Sequence, residues 1–92
     1  MALFKVTGEK FEVYTDQNIV NLLGFTNDKI VNFDKFLFNV KELHTCLNGG
    51  TSWMNIDRKN LPVTEKYARA KLAELERLGN LAKKQKRAVL IT

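Results

Sequence analysis

Apolar and polar positions alternate twice at the start of the chain. Residues 3 to 7 (Leu-Phe-Lys-Val-Thr) and 11 to 15 (Phe-Glu-Val-Tyr-Thr) each follow a period of two, with Gly8-Glu9-Lys10 between them. That pattern predicts a β-hairpin whose inner side carries Phe4, Val6, Phe11 and Val13. The period then changes. Asp16 to Leu23 holds Ile19, Val20, Leu22 and Leu23 behind a capping Thr15 or Asp16, and Gly24 follows as a stop, so a short helix is expected. From Asn32 to Asn48, Phe33, Phe36, Leu37, Val40, Leu43, His44 and Leu47 recur at offsets of three and four, one face of an amphipathic helix. Phe36, Phe38 and Val40 also alternate as a strand would, but length and the Lys41-Glu42-Leu43 continuation favour helix. Asn48-Gly49-Gly50 ends it.

The spacing becomes irregular at Trp53, Met54, Ile56 and Leu61, where a short helix over Asn55 to Asn60 is expected. Pro62 disfavours helical geometry at Leu61 and forces a break. Thr64 is then an N-cap, and Glu65 places a negative charge in the first helical turn. Residues 65 to 78 are nearly all strong helix formers, and Gly79 reads as the terminator. Beyond it, Leu81-Ala82-Lys83, a polar tip Lys84-Gln85-Lys86, and Arg87 to Thr92 with Ala88-Val89-Leu90-Ile91 predict a second hairpin. Ninety-two residues suit one α+β domain, its residues 1 to 50 forming the hairpin and early helices and residues 51 to 92 the rest.

On the predicted long helix, Ala68, Leu72, Leu75 and Leu78 share the face that must pack inward. Lys66, Arg69, Ala70, Ala73 and Arg77 fall largely on the other side. The order Val63-Thr64, then Leu72, Leu75, Glu76, Leu78, Gly79, Asn80 and Leu81, followed by a basic hairpin tip at Lys83 to Arg87, resembles the winged helix-turn-helix superfamily. The resemblance covers about a third of the chain. It implies a winged helix-turn-helix fold with an additional N-terminal β-hairpin. It also implies binding of double-stranded DNA, with the helix 64–79 in the major groove and the wing 83–87 on the backbone.

Small and basic side chains suit that face to a groove. The expected contacts are Thr64, Lys66, Tyr67, Arg69 and Ala70 from the helix and Lys83, Lys84, Lys86 and Arg87 from the wing, with Arg58 at the preceding turn. Tyr67 either donates its hydroxyl to a phosphate or packs its ring inward. Two plain alternatives stand beside these contacts. Glu65 with Arg69, or Glu74 with Arg77, can form ordinary intrahelical pairs. Lysines on a β-edge can serve simply to block aggregation.

Charge sharpens the expectation. Residues 1 to 50 carry five lysines against six acidic residues, a net of −1. Residues 51 to 92 carry ten lysines and arginines against four, a net of +6. A field this one-sided suits a polyanionic partner. A small transcriptional regulator of the kind found in bacteria and their viruses is the expected class. The alternative is an interaction module of the same fold, docking on an acidic surface of a polymerase or nuclease. RNA is less suited, since exposed aromatics for base stacking are not evident. The aromatic-rich N-terminal half (Phe4, Phe11, Tyr14, Phe25, Phe33, Phe36, Phe38) offers surface for a homodimer or a protein partner.

The remaining chemistry is sparse. Cys46 has no second cysteine to pair with, and His44 two residues away adds too little for a metal cluster, so no metal or cofactor is expected. His44 is expected to be packed or capped, Cys46 to be a small core residue, and Trp53 to anchor the core. No nucleophile and base can be paired, so the chain is not expected to be an enzyme. A reducing, cytoplasmic location fits a lone cysteine, nucleoid-associated if DNA is bound. The N-terminal residues lack a secretory pattern and no apolar stretch suits a membrane.

Overall fold

The computed structural model describes residues 1–54 and 56–92. The alternating segments form strands β1 (Ala2–Val6) and β2 (Glu12–Thr15), antiparallel and in register from Ala2 opposite Thr15 to Lys5 opposite Glu12. Ala2, Phe4, Val6, Val13 and Thr15 point inward, and Phe11 packs at the core's margin. Helix α1 (Gln17–Leu23) begins where the Asp16 carboxylate accepts the amide of Asn18 at 2.8 Å. It ends at Gly24, whose φ of 79° is a left-handed cap that a β-carbon disfavours.

Strand β3 (Lys29–Val31) leads into α2 (Phe33–Leu47), bounded by Asn32 and Asn48 as the periodicity predicts. The buried Asn39 donates to the Leu23 carbonyl at 2.8 Å, which fixes the end of α1 against α2. Of the short helix expected over Asn55 to Asn60, the structure has a single 3₁₀ turn at Arg58–Asn60, and Asn55 lies outside the described residues.

The largest departure from the sequence pattern begins at Gly79. Helix α3 (Glu65–Gln85) does not stop there but runs six residues further. Leu78, Gly79 and Ala82 continue its buried face, and Gly79 sits against α2. A β-carbon at Gly79 would lie 2.5 Å from Leu37 Cδ2 and 3.0 Å from Phe36 Cδ2, so the glycine is there for close helix approach and not for termination. The left-handed cap falls instead on Lys86, with φ 54°, and the Arg87 amide closes the turn on the Ala82 carbonyl at 2.9 Å.

The expected second hairpin therefore does not form. Residues 81 to 85 are helical, and Lys83, Lys84, Lys86 and Arg87 make no wing tip. Only β4 (Val89–Ile91) is extended, and it inserts between β1 and β3 to give the antiparallel order β2-β1-β4-β3. Inserted there, β4 buries Val89 and Ile91 fully, which a two-stranded wing in solvent would not do.

Among the described residues the fold is thus α+β: three α-helices and a four-stranded antiparallel sheet. Helices α2 and α3 run antiparallel, since Asn48 meets Arg69 while Leu37 meets Gly79. Phe4, Phe36, Leu43, Leu47, Leu72, Leu75 and Ile91 fill the core. Most of the N-terminal aromatics are used in it: Phe4 stands 5.8 Å from Phe36, and Phe25 stacks on Phe36 at 5.9 Å. Tyr14 and Phe38 remain about half exposed. Trp53 is not a core anchor: it is 58% exposed, lying parallel to Phe38 at 6.5 Å. No described helix is long and apolar enough to cross a membrane.

Candidate nucleic-acid interface

The two ends of α3 carry the residues expected to meet DNA. At the N-terminal end, the Thr64 hydroxyl accepts the Tyr67 amide at 3.1 Å, a local cap. Tyr67 packs its ring against the core, and its hydroxyl accepts the Asp16 amide at 2.8 Å, tying α3 to the start of α1. Arg69 is turned inward to α2. Its Nη2 donates to the Leu47 carbonyl at 3.0 Å, its Nη1 to Asn48 Oδ1 at 2.7 Å, and both Nε and Nη2 reach Glu65 Oε1. Leu47 closes α2, and its carbonyl is one of those left without an intrahelical partner, so the guanidinium serves as a charged C-cap.

The same Glu65 oxygen lies 3.9 Å from Arg58. Arg58 belongs to the 3₁₀ turn capped by Asp57, whose carboxyl is held below the usual carboxylate range. The Asn60 side chain is the main cause, at 2.7 Å, followed by the Lys59 amide. The expected outward presentation of Arg69 is therefore corrected. Lys66 and Ala70 are the expected contacts from this end that remain exposed and unengaged among the described residues.

The C-terminal end differs. Lys83 and Lys84 occupy the last turn of α3, where positive charge suits the helix dipole. Lys86 caps it. Arg87 reaches across to the β1–β2 turn, donating from Nη1 to the Thr7 carbonyl at 2.6 Å and lying over Gly8. That reach brings Lys10 of the same turn to this end. Further back on α3, Arg77 lies over the ring of Phe11, its Cζ 5.0 Å from the centroid.

Lys83, Lys84, Lys86 and Arg87 thus stand at the C-terminal end of α3, Arg77 lies about two turns back, and Lys10 belongs to the turn that Arg87 reaches, which also carries Glu9. Among the described residues, none of the six forms an ion pair with a carboxylate. Lys10 and Arg77 fall outside the expected contact set. Arg77 had a signal, an exposed place on the helix face; Lys10 had none, because only the β1–β2 turn's approach to Arg87 reveals it.

Lys66 and Lys83 are separated by about 25 Å along one helix, at about 1.5 Å of rise per residue. They do not form one compact patch. Lys66 and Lys84, but not Lys83, lie on a common exposed stripe, with Ala70, Ala73, Arg77 and Asn80 between them at helical spacing.

Elsewhere, His44 Nε2 stands 3.8 Å from Glu76 between α2 and α3, and Cys46 is buried, its thiol 3.7 Å from the Met54 carbonyl. Among the described residues, no three of His, Cys, Asp and Glu come together as a metal would need. In comparisons with known proteins, the chain matches no family model, no curated protein and no solved structure.

Proposed function

We propose that this chain binds double-stranded DNA, with the cationic end of α3 and the β1–β2 turn on the phosphates and the exposed α3 stripe facing the duplex. The observation that carries the reading is that six cations, on the C-terminal part of α3 and on the turn that Arg87 reaches, have no carboxylate pairing among the described residues. Like charges held close repel one another. An adjacent polyanion relieves that repulsion and releases its own counterions. The dipole of α3 accounts for two of these charges, Lys83 and Lys84, but not for Lys10 or Arg77.

From the winged helix-turn-helix resemblance the proposal keeps the helix presented to the duplex and omits the wing. Regulation by occupying DNA is the role such a module has. The test is fluorescence anisotropy of a labelled random duplex at several salt concentrations. If four to six phosphates are neutralised, the slope of log affinity against log salt is about −4 to −5. No retention at about 50 mM salt sinks the reading.

A protein-docking role has its own supporting observation. The outer side of the sheet carries Leu3, Tyr14, Ile30 and Leu90 with no layer over it among the described residues, and Ile30 is 74% exposed. A partner or second copy on that face leaves the cationic end free. Sedimentation at micromolar concentration separates a dimer from a monomer.

A further inference from the structure

Between Phe11 and α3 lies a cleft of about 340 Å³ lined by Phe11, Arg77, Asn80, Leu81 and Lys84. It sits inside the cationic end and is small, near the lower limit of ligand sites. Its chemistry is unlike that of a plain phosphate surface. The Arg77 guanidinium lies over the Phe11 ring, its Cζ 5.0 Å from the centroid, Leu81 is a half-buried apolar wall, and Lys84 lines the cleft beside them. The Asn80 carboxamide, exposed, makes no hydrogen bond to another described side chain. Phosphates alone have no use for an aromatic platform or an apolar wall.

We infer that this cleft seats one unpaired nucleobase of the bound DNA, so that the protein favours duplexes ending in a single-stranded overhang over blunt ones. The base lies against the Arg77 guanidinium beside Phe11, because every base has a π-face and guanidinium planes stack on it. The Asn80 carboxamide supplies one donor group and one acceptor to the base edge. Lys84 takes the flanking phosphate. A base inside a duplex has its faces covered by its neighbours and cannot enter, which is why the preference is for an unpaired one.

The inference rests on the DNA-binding reading, and its test separates the two. Anisotropy is measured for the full chain with three labelled duplexes of one sequence: blunt, with a short single-stranded overhang, and with an overhang of abasic nucleotides. The abasic arm carries the same phosphates without bases. The natural overhang is expected to bind about five- to a hundredfold more tightly than the abasic one, the range of one stacked base. Phe11→Leu removes most of that preference while leaving blunt-duplex binding within a fewfold, and circular dichroism checks that the variant folds. Equal affinity for the natural and abasic overhangs overturns the inference and leaves the DNA reading standing. No retention of any duplex overturns both.

Discussion

Basic residues stand at both ends of α3 in the sequence and have opposite roles in the fold. At the N-terminal end, Arg58 and Arg69 share the Glu65 carboxylate, and Arg69 also caps the last carbonyl of α2. At the C-terminal end, Lys83, Lys84 and Lys86 are exposed and Arg87 commits one nitrogen to the Thr7 carbonyl. A cation committed to a helix terminus has little left for a ligand, whereas one held beside other cations gains from any anion that arrives. Counting positive residues does not distinguish these cases. Asking what each side chain already bonds does.

The sharpest way to break this contrast is to reverse charge at the free end. Replacing Lys83, Lys84 and Lys86 together with Glu should lower duplex affinity by about a hundredfold or more at low salt. It should flatten the salt slope by about 3 or more, at roughly 0.9 for each phosphate no longer neutralised. Anisotropy across a salt series reads both. A variant that binds as the parent does would place the interface elsewhere.

Arg69→Ala tests the other end. It removes a charged donor from the Leu47 carbonyl and from Asn48, and leaves Glu65 to Arg58 alone. A loss of about 2 kcal/mol in urea-unfolding stability is expected, in the range for hydrogen bonds made by a charged group. Duplex affinity of the folded fraction should not change. Arg69→Lys should recover little of the stability, because an ammonium lacks the fork that reaches three partners. If Arg69→Ala weakens DNA binding without altering stability, the assignment of the two ends is reversed.

Gly79→Ala has a smaller expected effect and an informative sign. In a free helix the change favours stability by about 1 kcal/mol. Here the added methyl meets Leu37 and Phe36 at 2.5 to 3.0 Å, and Phe36 is fully buried with nowhere to move. Overpacking of this kind costs about 1 to 3 kcal/mol. A net loss of about 1 kcal/mol in thermal or urea unfolding is expected, and a net gain would mean that the helices have slack where they cross.

Gly79 also explains why the fold is only partly legible in the sequence. Alternation marks the first hairpin, and the offsets of three and four mark α1, α2 and the first two thirds of α3, because each is a local pattern with a local cap. A glycine between Leu78 and Asn80 reads locally as a stop. Its reason for being there, the approach of α2, is a tertiary packing that no local pattern carries. With the stop misplaced, Leu81 to Lys83 reads as a strand and the basic run as a wing tip. The same cations stand at a helix end and not at the tip of a wing. Arg69 misleads for a similar reason: its partners Leu47 and Asn48 are more than twenty residues away, and only the antiparallel pairing of α2 and α3 brings them within reach. Its pairing with Glu65, by contrast, is one of the alternatives visible in the sequence.

Lys86 offers the smallest and cleanest test, because there stability and binding should move in opposite directions. The residue holds a left-handed conformation, φ 54°, that costs a side chain roughly 1 kcal/mol relative to glycine. Lys86→Gly removes that strain and restores the residue usually found at such a cap, offset in part by the greater freedom of glycine in the unfolded chain. Unfolding should therefore become harder by a few tenths to about 1 kcal/mol. One cation is removed at the same time, so the salt slope should fall by about 0.9 and low-salt affinity by a fewfold. A weaker complex from a more stable protein cannot be blamed on unfolding. If affinity is unchanged while stability rises, Lys86 belongs to the helix cap alone, and the interface narrows to Lys10, Arg77, Lys83, Lys84 and Arg87.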